Sequence, residues 1–184
     1  MYAKEMLKQS LPLLIVCGLG AIIAGNTLSA MVSILQNIPG LIVVIPAIIA
    51  LRGNISTALG SRLGSAYHLG IIDAENMWNE DLKQNIIGSL VLSFSMSLII
   101  GILAYVTSLL FNVQPDPFLL IIIVVIAGGI SGLILTFLTI IIIYMVFRQG
   151  YDPDNITGPA LATFGDIITM LCIFGSAVFV GGFV

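Results

Sequence analysis

Four long stretches of this sequence contain no charged residue, and this pattern constrains the fold more than any other feature. The stretches are residues 9–51, 84–115, 117–147 and 167–184. A transmembrane helix needs about 20 predominantly apolar residues, so the first stretch is long enough for two crossings and each of the others for one. Only 8% of the residues are charged, whereas soluble domains average about 25%. The pattern therefore predicts an integral membrane protein and excludes a water-soluble globular fold.

We predict five membrane-spanning helices in one transmembrane domain, residues 1–184, without a soluble sensor domain. Spanning segments must be helical here, because lone strands in lipid would leave backbone groups unpaired. The predicted spans cover residues 10–35, 39–66, 84–112, 117–147 and 157–183. In the fifth, Pro159 suits the first turn of the helix, with Asn155 or Thr157 as its cap. The expected fold class is all-α integral membrane.

The distribution of basic residues predicts how the five helices are oriented. Five of the six Lys and Arg residues fall on or near one side of the predicted membrane: Lys4, Lys8, Arg62, Lys83 and Arg148. The positive-inside rule then places the N-terminus in the cytoplasm and the C-terminus outside. We expect a multi-pass protein of the cell membrane, in contact with lipid. Binding to nucleic acid is disfavoured, because the net charge is −3.

The second predicted span contains an unusual set of polar side chains. Arg52 lies about 20 Å from the outer end of the span, deep in the membrane. Asn54, Thr57 and Ser61 share one helix face, so their oxygens could line a polar path, together with Ser56. The alternative for the hydroxyl groups is hydrogen bonding between packed helices. For Arg52 the sequence favours a pairing or pathway role.

Asp166 is the one acidic residue inside a predicted span. It lies about two turns after Pro159, with Thr163 three residues before it and Thr169 three residues after it on the same face. A buried carboxylate must be neutralised by a proton, a cationic partner or a bound cation. Ionisable groups within membranes commonly mark ion routes, so we predict a cation ligand. The alternative is a structural ion pair between Asp166 and Arg52.

The available ligands suggest which cation this would be. Carboxylate, hydroxyl and amide oxygens suit Mg²⁺ or Ca²⁺, and Mg²⁺ usually keeps several waters while binding one or two carboxylates. One Asp per chain is too few for an all-protein cage. It would suit a hydrated ion on a two-fold axis, where two copies of Asp166 meet. The sequence therefore predicts a homodimer, with Asn54 and Thr163 as further metal ligands.

Two predicted cytoplasmic loops contain further acidic residues. Asp73, Glu75, Glu80 and Asp81 follow the second span, and Asp152 and Asp154 follow the fourth. Ordinary solvated loop charge is one interpretation. The other is a cytoplasmic cation-binding or regulatory site, for which Asp73, Glu75, Asp152 and Asp154 are the candidates.

The two polar stretches resemble the MgtE family of divalent cation transporters, which includes eukaryotic solute-carrier relatives. The matching residues are Pro46, Arg52-Gly53-Asn54, Ser61-Arg62, Asp152-Pro-Asp-Asn-Ile-Thr-Gly-Pro159, Thr163 and Asp166. In the family the last predicted helix carries the membrane Asp that binds permeating Mg²⁺, and Asp166 matches that residue. The resemblance thus implies Mg²⁺ as the transported and bound ion.

Two features depart from the bacterial members, and the second of them, Arg52, resembles the solute-carrier branch. Only residues 1–10 precede the first predicted span, whereas bacterial MgtE proteins have a large soluble Mg²⁺-sensing region there. Arg52 stands where bacterial members typically have Gly. Chains of the solute-carrier branch usually contain two five-helix units, so the resemblance implies a homodimer of single units. Channel-like conduction and coupled exchange both remain open.

Several functions compete with Mg²⁺ transport. Ligand type alone does not separate Mg²⁺ from another divalent metal, and a non-transporting membrane subunit is a further alternative. Tyr151-Asp152 and Gly165-Asp166 are similar to the paired Asp motifs of intramembrane aspartyl proteases. Those motifs normally lie on two membrane helices, whereas here both lie at one loop–helix junction. We therefore predict that the chain is not an enzyme.

Overall fold

Six helices make up most of the chain in the computed structural model, which describes residues 2–72, 78–149 and 153–182. The helices are α1 (Tyr2–Ala30), α2 (Val32–Asn37), α3 (Leu41–His68), α4 (Glu80–Leu110), α5 (Pro117–Arg148) and α6 (Pro153–Gly181). All of them except the six-residue α2 contain a segment long and apolar enough to cross a membrane. The prediction of an all-helical protein with five spans is confirmed for the described residues.

The connection between the first two spans contains the short helix α2 as well as a tight turn. α1 ends at Ala30, and α2 ends just before Ile38. Gly40 then precedes α3 with a φ of 84°, which glycine adopts without the steric penalty that a side chain would meet. A Cβ at Gly40 would also lie 2.9 Å from Ser108 Oγ of α4. The predicted turn before the second span is thus held against a neighbouring helix.

The predicted fifth span begins one residue from the apolar segment Ile156–Gly181, but the prediction that its helix starts around Pro159 is wrong. α6 begins at Pro153, so Pro159 lies inside the helix rather than in its first turn, and residues 155 and 157 are helical rather than caps. Both prolines suit a first turn, because neither has an amide proton to leave unpaired there. The earlier start places Asp166 about 20 Å along α6, because each residue adds about 1.5 Å.

α5 is the most buried of the five spanning helices and packs against α3, α4 and α6. α3 also packs against α4 and α6, whereas α1 packs mainly on α6. The apolar core forms two clusters, one around Ile48 of α3 and Ile173 of α6, and the other around Leu59 of α3 and Ile143 of α5. Between Ile48 and Leu59, the buried positions of α3 are polar, and this layer contains the candidate site.

Candidate functional site

Arg52 is the most deeply buried ionisable side chain of this polar layer, with only 1% of its surface exposed. Its Nη2 atom donates hydrogen bonds to the Ser93 carbonyl oxygen at 2.9 Å and to Ser97 Oγ at 2.8 Å, both on α4. Ser97 Oγ in turn donates to the same carbonyl at 2.6 Å. Nε and Nη1 have no acceptor in the described part of the chain. One nitrogen therefore makes all the hydrogen bonds of the guanidinium group.

Two glycines of α5 make the space that this guanidinium group occupies. A Cβ at Gly132 would overlap Arg52 Nη1 and would lie 2.7 Å from Ser93 Oγ. A Cβ at Gly128, one turn away, would overlap Ser97 Oγ and lie 3.3 Å from Arg52 Nη2. We call this space the glycine notch, defined by Gly128 and Gly132. Any larger residue at either position would displace the guanidinium group or the serine beside it.

Arg52 does not pair with Asp166. Within residues 2–72, 78–149 and 153–182, the only ion pair joins Lys83 and Glu80, at 3.6 Å. The alternative in which Asp166 is neutralised by Arg52 is therefore not what the structure contains. Neither ionisable group has an oppositely charged partner among the described residues.

Asp166 is half-buried, and its carboxylate makes no hydrogen bond to the described residues. The two threonines predicted to flank it have different surroundings. Thr169 is fully buried, and its Oγ1 has no partner within the described chain. Thr163 donates to the Pro159 carbonyl oxygen at 3.1 Å, and its methyl group packs against Gly20 of α1. The carboxylate of Asp166 thus remains free to bind a ligand, with Thr169 as a second unsatisfied polar group nearby in sequence.

The polar residues of α3 divide between two faces of the helix. Asn54, Thr57 and Ser61 are exposed, as expected for residues that share one face. Ser56 is buried with 3% exposure on the same side as Arg52. The exposed polar face is unusual for a membrane-spanning helix, because lipid cannot hydrogen-bond to these groups.

A cavity of about 310 Å³ lies between α3, α5 and the first turns of α6. Hydroxyl groups form much of its lining, and the lining residues are Thr57, Gly60, Ser61, Gly64, Ser65, His68, Ile143, Thr157 and Gly158. Thr157 is 6% exposed, and its Oγ1 has no hydrogen-bond partner among the described residues. Six waters at about 30 Å³ each need roughly 180 Å³, so a hydrated Mg²⁺ ion fits this volume.

Most of the acidic loop residues lie beyond what the structure describes. Asp73, Glu75 and Asp152 fall outside the described residues, and Asp154 lies in the first turn of α6 with its side chain outside the described part. Among the described residues, no group of three His, Cys, Asp or Glu side chains could hold a metal ion. The cytoplasmic cation site therefore stays a prediction. Among the described carboxylates, Asp166 is the one in the interior of a spanning helix, because Glu80 and Asp81 lie in the first turn of α4.

Three parts of the site were not found by sequence reasoning. They are the hydrogen-bonded serines Ser93 and Ser97, the glycine notch, and Thr157 as a cavity-lining group. Serines recur every four residues from Ser89 to Ser97 on α4, which is the spacing of a buried helix face and could have indicated a polar contact. The acceptor in the Ser93 carbonyl gives no signal in the sequence, because every residue has a carbonyl group.

Comparison with known proteins gives one family and several relatives. The sequence model of the family described as "MgtE: Divalent cation transporter" matches residues 45–176, which is more than half of the chain. Solute carrier family 41 member 2 of Gallus gallus is 29% identical over 85% of this chain and 28% of its own length. The human member 2 is 28% identical over the same shares. Solute carrier family 41 member 3 of Rattus norvegicus is 29% identical over 88% of this chain and 36% of its own length. The chain thus spans about a third of the length of these relatives.

Proposed function

Because this chain belongs to the MgtE family of divalent cation transporters, we propose that it carries Mg²⁺ across the cell membrane along a path between two copies of the chain, with Asp166 as ion ligand. The resemblance to this family and to its solute-carrier branch is confirmed. The family consists of transporters, so the prediction that the chain is not an enzyme is confirmed too. Five apolar spans in a transporter family make the chain a multi-pass protein of the cell membrane.

The observation that carries the proposal is the half-buried, unpaired carboxylate of Asp166 in a membrane-spanning helix. A carboxylate in lipid is unfavourable, and such residues usually face a bundle interior or a water-filled path. A hydrated Mg²⁺ ion beside Asp166 would supply the missing positive charge and water. The hydroxyl-lined cavity, whose lining does not include Asp166, has a volume that suits an ion that keeps its water shell, and it would form a separate part of the route.

The exposed polar face of α3 supports the proposal that a second copy of the chain lies against it. The side chains of Asn54, Thr57 and Ser61 have no hydrogen-bond partner among the described residues, and water between two chains would satisfy them. One carboxylate from each copy would bring the ligand number to the two that Mg²⁺ sites commonly use. We therefore place the pathway beside this face of α3.

Flux measurement on the wild-type protein tests the function itself. Purified protein in liposomes that contain a Mg²⁺-sensitive dye is expected to give saturable Mg²⁺ uptake above protein-free liposomes. Parallel assays with Mn²⁺, Co²⁺ and Ca²⁺ identify the preferred ion. No uptake of any divalent cation would favour the alternative of a non-transporting membrane subunit. Faster uptake of another metal, with Mg²⁺ poorly carried, would change the assigned substrate.

Cross-linking tests whether two copies meet at the polar face of α3. Cys17 and Cys172 are first replaced by Ser, and a single cysteine is then introduced by Asn54→Cys. We expect a short bifunctional maleimide to trap a dimer in membranes, because Asn54 lies on the proposed shared face. The control is Phe94→Cys on α4, which is 56% exposed but lies on a different helix. Equal cross-linking at both positions would reflect random collision and contradict the interface.

A further inference from the structure

Arg52 presents a problem for a cation pathway, because a positive charge beside the ion would repel it. The charge is also costly to bury, since no carboxylate among the described residues compensates it. Arg remains protonated in proteins, so this charge is permanent. The direction in which the guanidinium group points therefore decides what the residue does.

The guanidinium group points away from the proposed path. Successive residues of a helix are separated by about 100°, so Arg52 lies roughly 160° from Asn54, 140° from Thr57 and 180° from Ser61 around α3. Exposure agrees with this geometry, because Arg52 is 1% exposed while the other three residues are exposed. Its hydrogen bonds go to Ser93 and Ser97 of α4, which lie behind α3 as seen from the exposed face.

We propose that Arg52 is a positioning residue that holds α3 against α4 and α5, so that Asn54, Thr57 and Ser61 face the ion path. The inference rests on the proposed function. The glycine notch receives the guanidinium group, and the two bonds from Nη2 fix both the height and the rotation of α3 relative to α4. A rotation by one residue, about 100°, would turn the polar face away from the path.

The contact with α4 also predicts which substitutions can replace Arg52. Both hydrogen bonds come from one nitrogen, so the single ammonium group of a lysine can form them, although its side chain is one bond shorter. Methionine replaces the apolar stem of Arg52 but has no donor and is too short to occupy the glycine notch. Arg52→Lys should therefore retain much of the function, whereas Arg52→Met should lose it.

Transport kinetics of these variants in liposomes distinguish a positioning role from a charge in the path. Arg52→Met is expected to lower the maximal Mg²⁺ rate about tenfold, as loss of a supporting group typically does, with KM changed by less than about twofold. Arg52→Lys is expected to restore at least half of the rate. Arg148→Met is the control, because it removes an exposed Arg whose described contacts are confined to Tyr144. A higher rate or a lower KM in Arg52→Met would place the charge in the ion path and overturn the proposal.

Ser97→Ala provides a second test of the anchoring contact, because it weakens the contact while keeping the charge of Arg52. It removes one acceptor on α4 and creates no steric conflict in the notch, so the protein should fold even where Arg52→Met does not. We expect a smaller loss of maximal rate than in Arg52→Met, again without a change in KM. A maximal rate and KM in Ser97→Ala equal to those of the wild-type protein would contradict the anchoring contact. If the wild-type protein itself gives no Mg²⁺ flux, the proposed function is contradicted instead.

Cysteine labelling reports the rotation of α3 independently of transport. In the background with Cys17 and Cys172 replaced by Ser, Thr57→Cys should react rapidly with a water-soluble methanethiosulfonate, and Ser56→Cys should react slowly. Adding Arg52→Met should reduce this difference, and adding Arg52→Lys should restore it. If the difference in labelling rate between Thr57→Cys and Ser56→Cys is the same with and without Arg52→Met, Arg52 does not set the orientation of α3.

Discussion

Asp166→Asn is expected to reduce Mg²⁺ uptake to the level of protein-free liposomes while the protein still folds. Asn has nearly the same size and keeps one oxygen, but it removes the negative charge that a divalent cation requires. The carboxylate has no ion-pair partner among the described residues, so its replacement leaves no cation uncompensated. Folding should be unaffected or slightly improved, since an unpaired buried charge is lost. Size-exclusion elution and thermal unfolding in detergent measure the folding and stability of the variant separately from its Mg²⁺ flux.

Asp116→Asn is the matched control for this substitution. Asp116 lies in a loop outside the spans, where its Oδ1 accepts a hydrogen bond from the Leu119 amide at the start of α5. Asn caps helices about as well as Asp, so both transport and stability should be retained. Near-normal Mg²⁺ flux in Asp166→Asn would reject Asp166 as the ligand. Loss of flux in both variants would show that the assay responds to any loss of acidic charge.

The sequence was sufficient to predict the five spans because membrane thickness imposes a length and a composition on each helix. The absence of charge over 117–147 corresponds to α5, which ends at Arg148 where a charge can reach the membrane surface. Helix ends outside the apolar region follow weaker rules. Pro153 and Pro159 both suit a first turn, and the sequence gives no reason to choose the earlier one.

The sequence also predicted which polar residues share a face but not which way each face points. Periodicity placed Asn54, Thr57 and Ser61 together, and all three are exposed. Arg52 was expected to pair or to line the path because charges in spans usually do so. Its actual partners are a carbonyl and a hydroxyl on α4, reached through the gap left by two glycines on α5. That contact depends on the packing of three helices, which no local pattern encodes.

Gly128→Ala is expected to destabilise the protein, whereas Gly129→Ala is not. A Cβ at Gly128 would overlap Ser97 Oγ and lie 2.6 Å from Ser97 Cβ, which is fixed to the α4 backbone and cannot rotate away. Overpacking of this kind typically costs about 1–3 kcal/mol. It would also disturb the acceptor of the Arg52 hydrogen bond. Thermal unfolding in detergent, followed by circular dichroism, measures the change.

Gly129→Ala makes this a controlled comparison, because the two glycines are neighbours on α5. A Cβ at Gly129 meets no atom within 4 Å, so its substitution gains only the higher helix propensity of Ala, up to about 1 kcal/mol. Gly128→Ala gains the same propensity and loses the packing. At roughly 2–4 °C per kcal/mol, we expect the melting temperature of Gly128→Ala to lie at least about 2 °C below that of Gly129→Ala. Equal melting temperatures would mean that α4 can move away from α5 without loss, and the glycine notch would then not hold Arg52 in a fixed position.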